Sequence, residues 1–270
     1  MTAPRTLGII GGSGWLGRSI GNAALSARLI VPGSLFLSNR SGPAGFVAWP
    51  DVWWTHDNQA VVERSDVVIL SVRPEQFPAV EIDAHAKLVI SVMAAVSTQT
   101  LRKRTGSTRI VRAMPNAAAE IGCSYTPWHA SEDVSAAEKR FVRALFETCG
   151  TEDELPAEED IDYLTGLTGS GPAFPALLAK AMLSHALSKG LPHAIARRAV
   201  QGVVAGASQL VTSSGASPDE LIQTFLGYRG TTAAGLQAMI ANGFDAAVHA
   251  GLDAAETAVA KMADSAGKQL

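Results

Sequence analysis

Leu7-Gly8-Ile9-Ile10-Gly11-Gly12-Ser13-Gly14-Trp15-Leu16-Gly17 runs an apolar strand into glycines spaced G-x-G-x-x-G at Gly12, Gly14 and Gly17. A strand that ends in such a turn and opens a helix directs backbone N–H groups at one spot, and the helix dipole adds positive potential there. A pyrophosphate fits that spot. Gly12 is expected to make the tight turn, Gly14 to let the backbone approach the phosphates, and Gly17 to let the helix pack closely on its strand. Ser13, Trp15 and Leu16 complete this cofactor-binding loop. Glycine-rich turns are common, so the reading depends on what surrounds the loop.

Outward from the loop, short apolar runs alternate with helix-like segments. Leu7–Ile10, Ser34–Leu37, Val67–Ser71, Lys87–Val92 and Ile110–Met114 read as strands buried on both faces. Gly17–Leu29, Asn58–Ser65 and Ser97–Arg104 read as helices, the last opened by a capping serine. The alternation predicts an α/β domain with a Rossmann-type, doubly wound parallel sheet, which is the context that the glycine motif needs.

A carboxylate at the end of the second strand would hydrogen-bond the ribose of NAD. The residues there are Ser38-Asn39-Arg40-Ser41, and the first acid comes only at Asp51. Hydroxyls, an amide and a guanidinium suit a 2′-phosphate, because arginine offers a planar, permanently charged fork to phosphate oxygens. Ser38, Asn39 and Arg40 therefore predict NADP(H) as the cofactor.

After Met114 the composition shifts. Met114-Pro115-Asn116 closes a strand at the carboxyl edge of the sheet, where ligands bind in such folds. Glu132–Cys149 reads as one helix, and Glu152-Asp153-Glu154, Pro156 and Glu158-Glu159-Asp160 read as an acidic connector. This divides the chain into a cofactor domain, 1–156, and an all-α domain, 157–270, with helices over Pro172–Lys189, Pro192–Thr212, Pro218–Phe225, Thr231–Asn242 and Asp245–Lys261. Gly190 and Gly243 fit the C′ position, Pro192 and Pro218 the first helical position, and Ser217 with Glu220 a capping box. Small residues on otherwise apolar faces, as in Gly202-Val203-Val204-Ala205-Gly206-Ala207, predict close helix approach and a homodimer through this half.

With 270 residues, 47% hydrophobic, and a net charge of −3, the chain is globular and carries no basic footprint for nucleic acid. No 18-residue apolar run and no cleavable leader pattern are present, so a cytoplasmic enzyme acting on a small molecule, away from membranes, is expected. Cys123 and Cys149 lie far apart without histidine pairs, which predicts reduced thiols and no metal.

Two helix starts are crowded with small hydrogen-bonding residues, Thr165–Pro172 and Gly227–Gly235. Each offers N–H groups and hydroxyls at a positive helix end, which suits a carboxylate. No histidine stands in paired spacing or beside an evident partner acid. Oxidation of an alcohol calls for a general base, whereas an imine can arrive protonated and needs only binding and a placed hydride donor. The pattern leans towards imine reduction.

Gly12–Gly17, Ser38-Asn39-Arg40, Val72-Arg73-Pro74, Arg112-Ala113-Met114-Pro115-Asn116, Asp162 with Thr165–Phe174, and Gly230–Leu236 together resemble pyrroline-5-carboxylate reductase over essentially the whole chain. The most specific match is Gly169-Ser170-Gly171-Pro172-Ala173-Phe174 followed at the right distance by Gly230-Thr231-Thr232-Ala233-Ala234-Gly235-Leu236. The resemblance implies an NADPH-binding domain, a helical dimerisation domain and an active site between subunits. It implies that Thr232 hydrogen-bonds the ring nitrogen, with Thr168 as a second catalytic hydroxyl. Gly230 and Thr231 would hold the carboxylate, Ser170, Gly171 and Arg229 would line the substrate pocket, and Asn58, Val72, Arg73, Pro74, Met114, Pro115 and Asn116 would line the cofactor site.

Departures from the family pattern cluster near the substrate. Gly227-Tyr228-Arg229 stands where the family has Ser-Pro-Gly, Thr168 replaces a serine, Ala117-Ala118 replaces Thr-Pro, and the glycine loop is one residue longer. Arg229 could recognise a second anionic group. The function expected is NADPH-dependent reduction of pyrroline-5-carboxylate to proline. The alternatives are reduction of another cyclic imine, a hydroxyacid-type dehydrogenase, and a catalytically silent NADP(H)-binding protein.

Overall fold

The computed structural model describes residues 5–40 and 42–269, the last five by backbone alone. Four-residue apolar runs form its central strands because each is covered on both faces: β1 (Leu7–Ile10), β4 (Val67–Leu70) and β5 (Leu88–Ser91) are buried throughout. β2 (Leu35–Ser38) and β6 (Ile110–Ala113) flank them, and β3 (Trp53–Thr55) is an edge strand. Helices α1 (Trp15–Ser26), α2 (Asn58–Arg64) and α3 (Thr98–Thr105) make the crossovers. β7 (Ser124–Ala130), α4 (Ala136–Glu147) and β8 (Gly150–Glu154) complete the sheet.

The strand order is β3-β2-β1-β4-β5-β6-β7-β8. β1 pairs in parallel with both β2 and β4, Leu7 lying opposite Leu35 and Val67. The order reverses between β1 and β4, so the crevice beyond their carboxyl ends is where a ligand binds in a doubly wound sheet. Alternate side chains go to opposite faces. Leu7, Ile9, Leu37 and Ile69 pack with Ile20 of α1 and Phe146 of α4, while Ile10, Val68 and Leu70 pack with Val62 of α2 and Leu101 of α3.

Three strands escape the sequence reading. β3 is short, and its Trp53 stacks edge-on against Phe36. β7 runs antiparallel to β6, with Arg112 opposite His129, and carries a proline in its middle. The acidic connector begins as strand β8, because its charges have partners: Glu152 accepts the Trp128 indole N–H, and Glu154 pairs with Lys139 at 2.5 Å and Arg143 at 2.7 Å. The helix expected over Glu132–Cys149 is shorter, opened by a Ser135/Glu138 capping box.

By packing, the first compact unit runs to Ser170 and takes in residues from Ala255 on; the second spans Gly171–Ala254. The expected division at 156 falls directly after β8. In the first unit α5 (Glu159–Leu164) runs into a π-helical segment, Thr165–Gly169. The second unit holds α6 (Ala173–Ser188), α7 (His193–Gln201), α8 (Gln209–Ser213), α9 (Pro218–Gly227), α10 (Thr231–Ala241) and the start of α11 (Phe244–Gln269). Gly190 and Gly243 take positive φ, and Ser217 with Glu220 forms the capping box. Pro192 is the N-cap rather than the first helical residue, and the helix expected over Pro192–Thr212 is broken by π-helical turns at Gly202–Ala207, since glycines there weaken the α ladder. Within one chain α6, α8 and α9 bury no residue, and Leu177 is 66% exposed.

Three glutamates tie elements of the first unit together. Burial, the largest single effect, pushes each carboxyl up, but its partners together hold it below the ordinary value of 4.5: the Ser135 hydroxyl and N–H and Arg109 for Glu138, Lys139 and Arg143 for Glu154, the Thr98 N–H and Arg112 for Glu158. A depressed carboxylate contributes stability that is present above its unfolded pKa and lost as pH falls through its folded pKa. The midpoint of urea unfolding is therefore expected to drop progressively as pH is lowered from about 5 to 3, and Glu158→Gln is expected to flatten that drop. An equally steep acid dependence in the variant would remove Glu158 from the account.

Candidate functional site

Gly11 takes the left-handed conformation, with φ +87°. The expectation that Gly12 makes the tight turn is corrected: a Cβ on Gly11 would lie 2.3 Å from the Ser71 carbonyl oxygen, so the extra glycine is the one the turn requires. The N–H groups of Gly11 and Gly12 both donate to the Ser38 carbonyl at 3.0 Å, which folds the turn across the end of β2. Gly14 is the exposed N-cap of α1 and supplies no side-chain cap, so the first N–H groups of the helix remain open to an anion. A Cβ on Gly17 would lie 2.6 Å from the Gly11 carbonyl oxygen, and this close approach holds α1 down on the turn. Ser13 and Leu16 are half-buried; Trp15 is exposed and donates its indole N–H to Glu120 at 2.9 Å.

Beside this turn, Ser38 is buried, and its hydroxyl donates to Asn58 Oδ1 at 2.7 Å, so the serine orients Asn58. The Asn39 N–H reaches the Thr55 carbonyl at 3.3 Å, and its own carbonyl is bonded by His56 Nδ1 at 2.8 Å. Arg40 follows as an exposed cation on a loop pinned to the exit of β3. Ser41 lies outside the described residues.

Across the crevice the chain leaves β4 through Ser71 to Val72, Arg73 and Pro74. Val72 approaches Gly11, while Arg73 is exposed and faces Glu75 at 3.9 Å. At the exit of β6, Met114, Pro115 and Asn116 are all buried. Asn116 Nδ2 donates to the Thr168 carbonyl at 2.9 Å, its Oδ1 accepts the Ala118 N–H at 2.9 Å, and its own N–H donates to Ser124 Oγ at 3.0 Å. Met114 lies against Gly169, where a Cβ would come within 3.2 Å of its side chain. The structure thus joins two stretches that the sequence singles out separately, Met114–Asn116 and Thr165–Gly169.

Within Thr165–Gly169 the Thr168 hydroxyl donates to the Leu164 carbonyl at 2.9 Å, leaving its oxygen as an acceptor. Exposed Ser170 donates to the Thr165 carbonyl at 3.4 Å, and Gly171 is half-buried beside it. π-helical turns of this kind occur often at functional sites. In the second unit Gly230 is the N-cap of α10 without a side-chain cap bond, so the first-turn N–H groups that follow, those of Thr231 and Thr232, remain available. Arg229 precedes it at φ +43° and Tyr228 is 73% exposed. Two surface grooves of about 550 and 470 Å³, one beside His129 and one beside Asn22, contain none of these residues.

Arg112 and Asp162 belong to the family-like motifs, but the sequence gives neither of them a role. Arg112 is 3% exposed and bonds Glu158 and Asp162, both at 2.8 Å. One arginine inside an otherwise apolar strand was the available signal, since a buried guanidinium needs carboxylates. Ala95, at φ +60° beyond β5, is a second feature the sequence left unmarked.

A family profile described as pyrroline-5-carboxylate reductase dimerisation matches residues 158–262, and one described as NADP oxidoreductase coenzyme F420-dependent matches residues 6–95. A pyrroline-5-carboxylate reductase of Thermus thermophilus is 34% identical over 85% of this chain and 88% of its own length. Among solved structures, a pyrroline-5-carboxylate reductase from Coxiella burnetii superposes with a TM-score of 0.84 at 25% identity, covering 96% of this chain and 99% of that one. A Plasmodium falciparum pyrroline carboxylate reductase with NADP bound gives 0.84 at 23% identity, covering 96% and 98%.

Proposed function

The chain belongs to the pyrroline-5-carboxylate reductase family, and from that premise we propose how its residues divide the work of the reaction. The protein is an NADP(H)-dependent oxidoreductase that reduces pyrroline-5-carboxylate to proline. It forms a homo-oligomer. No helix among the described residues is long and apolar enough to cross a membrane.

The observation that carries the division of roles is the pair of uncapped helix starts, Gly14 on α1 and Gly230 on α10. The first suits a pyrophosphate and the second a substrate carboxylate, because open N–H groups and the helix dipole favour an anion. NADPH supplies the hydride that the imine carbon receives. Gly11, Gly12, Ser13, Gly14, Trp15, Leu16 and Gly17 would hold the pyrophosphate, and Ser38, Asn39, Arg40 and Asn58 the adenosine end. Val72, Arg73, Pro74, Met114, Pro115 and Asn116 would frame the nicotinamide end. The N–H groups of Gly230 and Thr231 would bind the carboxylate, with Arg229 as an added cation, and Ser170 and Gly171 would also bind substrate.

An imine reduced as its iminium needs no proton from a side chain in the hydride step. Thr232 would place the ring nitrogen by donating its hydroxyl to the lone pair that forms there as the carbon receives hydride. Thr168 has already committed its proton to Leu164 and would accept from the ring N–H. The exposed apolar residues of the second unit, Leu177, Ile195 and Leu210 among them, support burial against a second copy as a homodimer.

NADPH oxidation measured with pyrroline-5-carboxylate, piperideine carboxylates and 2-keto acids tests the assignment. Turnover is expected with the pyrroline and not with the keto acids. Thr232→Val is expected to lower kcat/KM roughly a hundredfold, a loss typical of a group acting in the transition state, with NADPH binding intact. Loss of NADPH affinity in that variant would put Thr232 on the other ligand.

A further inference from the structure

Arg112 is the one charged residue of β6, and its guanidinium grips α5 at two points one helical turn apart, Glu158 Oε1 and Asp162 Oδ1, both at 2.8 Å. Glu158 Oε1 also accepts the Thr98 N–H at 2.7 Å, at the start of α3. The Nε–H of Arg112 is buried without a partner. A buried ion cluster of this kind is often no more stabilising than well-packed apolar side chains of the same volume, so its strength does not explain it. Its geometry does more. α5 is six residues long, too short to hold itself, has no side-chain cap, and passes directly into the π-helical turns of Thr165–Gly169.

At the far end of those turns, Asn116 Nδ2 holds the Thr168 carbonyl, and Gly169 lies against Met114. Gly166 lies against Ala255 and leaves the segment little room to shift. Residues 112 and 116 of one strand exit therefore fix residues 158–168 at both ends. We infer that Arg112 is a positioning residue for the reduction: through Glu158 and Asp162 it sets where the Thr165–Gly171 stretch stands against Met114–Asn116, and hence how the imino acid is held. The inference rests on the assignment of Thr168, Ser170 and Gly171 to the substrate pocket.

Asp162→Asn and Arg112→Lys, made in the whole enzyme, test it through four readouts: KM for pyrroline-5-carboxylate, kcat, NADPH affinity by fluorescence quenching, and thermal unfolding. Asp162→Asn is expected to raise KM for the imino acid roughly tenfold or more, because small misplacements of a positioning element carry such costs, while NADPH affinity stays within about twofold. Arg112→Lys keeps the charge without the fork and is expected to fall between this variant and the wild type. A lowered unfolding temperature with KM for the imino acid unchanged in both variants would overturn the inference, since a merely structural role moves stability alone. Should Asp162→Asn fail to fold, Glu158→Gln, which removes charge from the other arm, takes its place. Thr168→Val, measured alongside, tests the pocket assignment separately: unchanged kinetics there would sink the role of Thr168, while the positioning inference stands or falls on Asp162 and Arg112.

Discussion

Gly17→Val is expected to abolish measurable NADPH binding. A Cβ at Gly17 would already stand 2.6 Å from the Gly11 carbonyl oxygen, 3.2 Å from Gly12 Cα and 3.2 Å from the Ser71 hydroxyl oxygen, and valine adds two methyl groups to that contact. Neither side can give way easily. Gly11 is held by its own positive φ and by its N–H bond to Ser38, so the strain pushes α1 away from the turn. Overpacking of this kind costs about 1–3 kcal/mol of stability, which a domain with so large a buried core can absorb. The proposed anion site cannot absorb it, because the N–H groups at Gly14 and beyond depend on the angle at which α1 leaves the turn. Fluorescence quenching on titration with NADPH, beside circular dichroism to confirm the fold, checks the result. Near-normal affinity would mean that this approach does not set the phosphate site.

Arg40→Asp is expected to reverse or nearly erase the preference for NADPH over NADH. Arginine paired with a phosphate is worth about 1.5–3 kcal/mol, so its loss alone removes roughly a tenfold to hundredfold preference. Aspartate adds repulsion toward the 2′-phosphate and an acceptor for the 2′-hydroxyl of NADH. The loop should keep its shape, since its anchors are elsewhere: Asn39 to Thr55, His56 to Asn39, and Ser38 to Asn58. The ratio of kcat/KM values for the two cofactors gives the answer, and an unchanged ratio would take Arg40 away from the 2′-phosphate.

Most of the first half was legible because its signals are local. Apolar tetrapeptides such as Val67–Leu70 announce buried strands, and Ser97 caps α3 as its side chain allows. The turn glycine was misplaced by one position because G-x-G-x-x-G spacing does not say which of two adjacent glycines meets the Ser71 carbonyl. β8 was missed because three successive acids look solvated until Trp128, Lys139 and Arg143 are brought beside Glu152 and Glu154. The same limit applies at the proposed substrate end. Thr165–Pro172 could be flagged as a crowded helix start, but not as π-helical turns held from Asn116.

Sequence alone determined the cofactor class, the strand-turn-helix at Gly11–Gly17, the cation after the second strand and the helical second half, because each depends on neighbours within a few residues. Tertiary structure decided which glycine turns, that Ser38 serves Asn58, and that Arg112 reaches across 46 and 50 positions to Glu158 and Asp162. Those outcomes depend on which buried charges and carbonyls meet once strands are stacked. An arginine in a strand shows in the sequence that it needs partners, and only the folded chain supplies them.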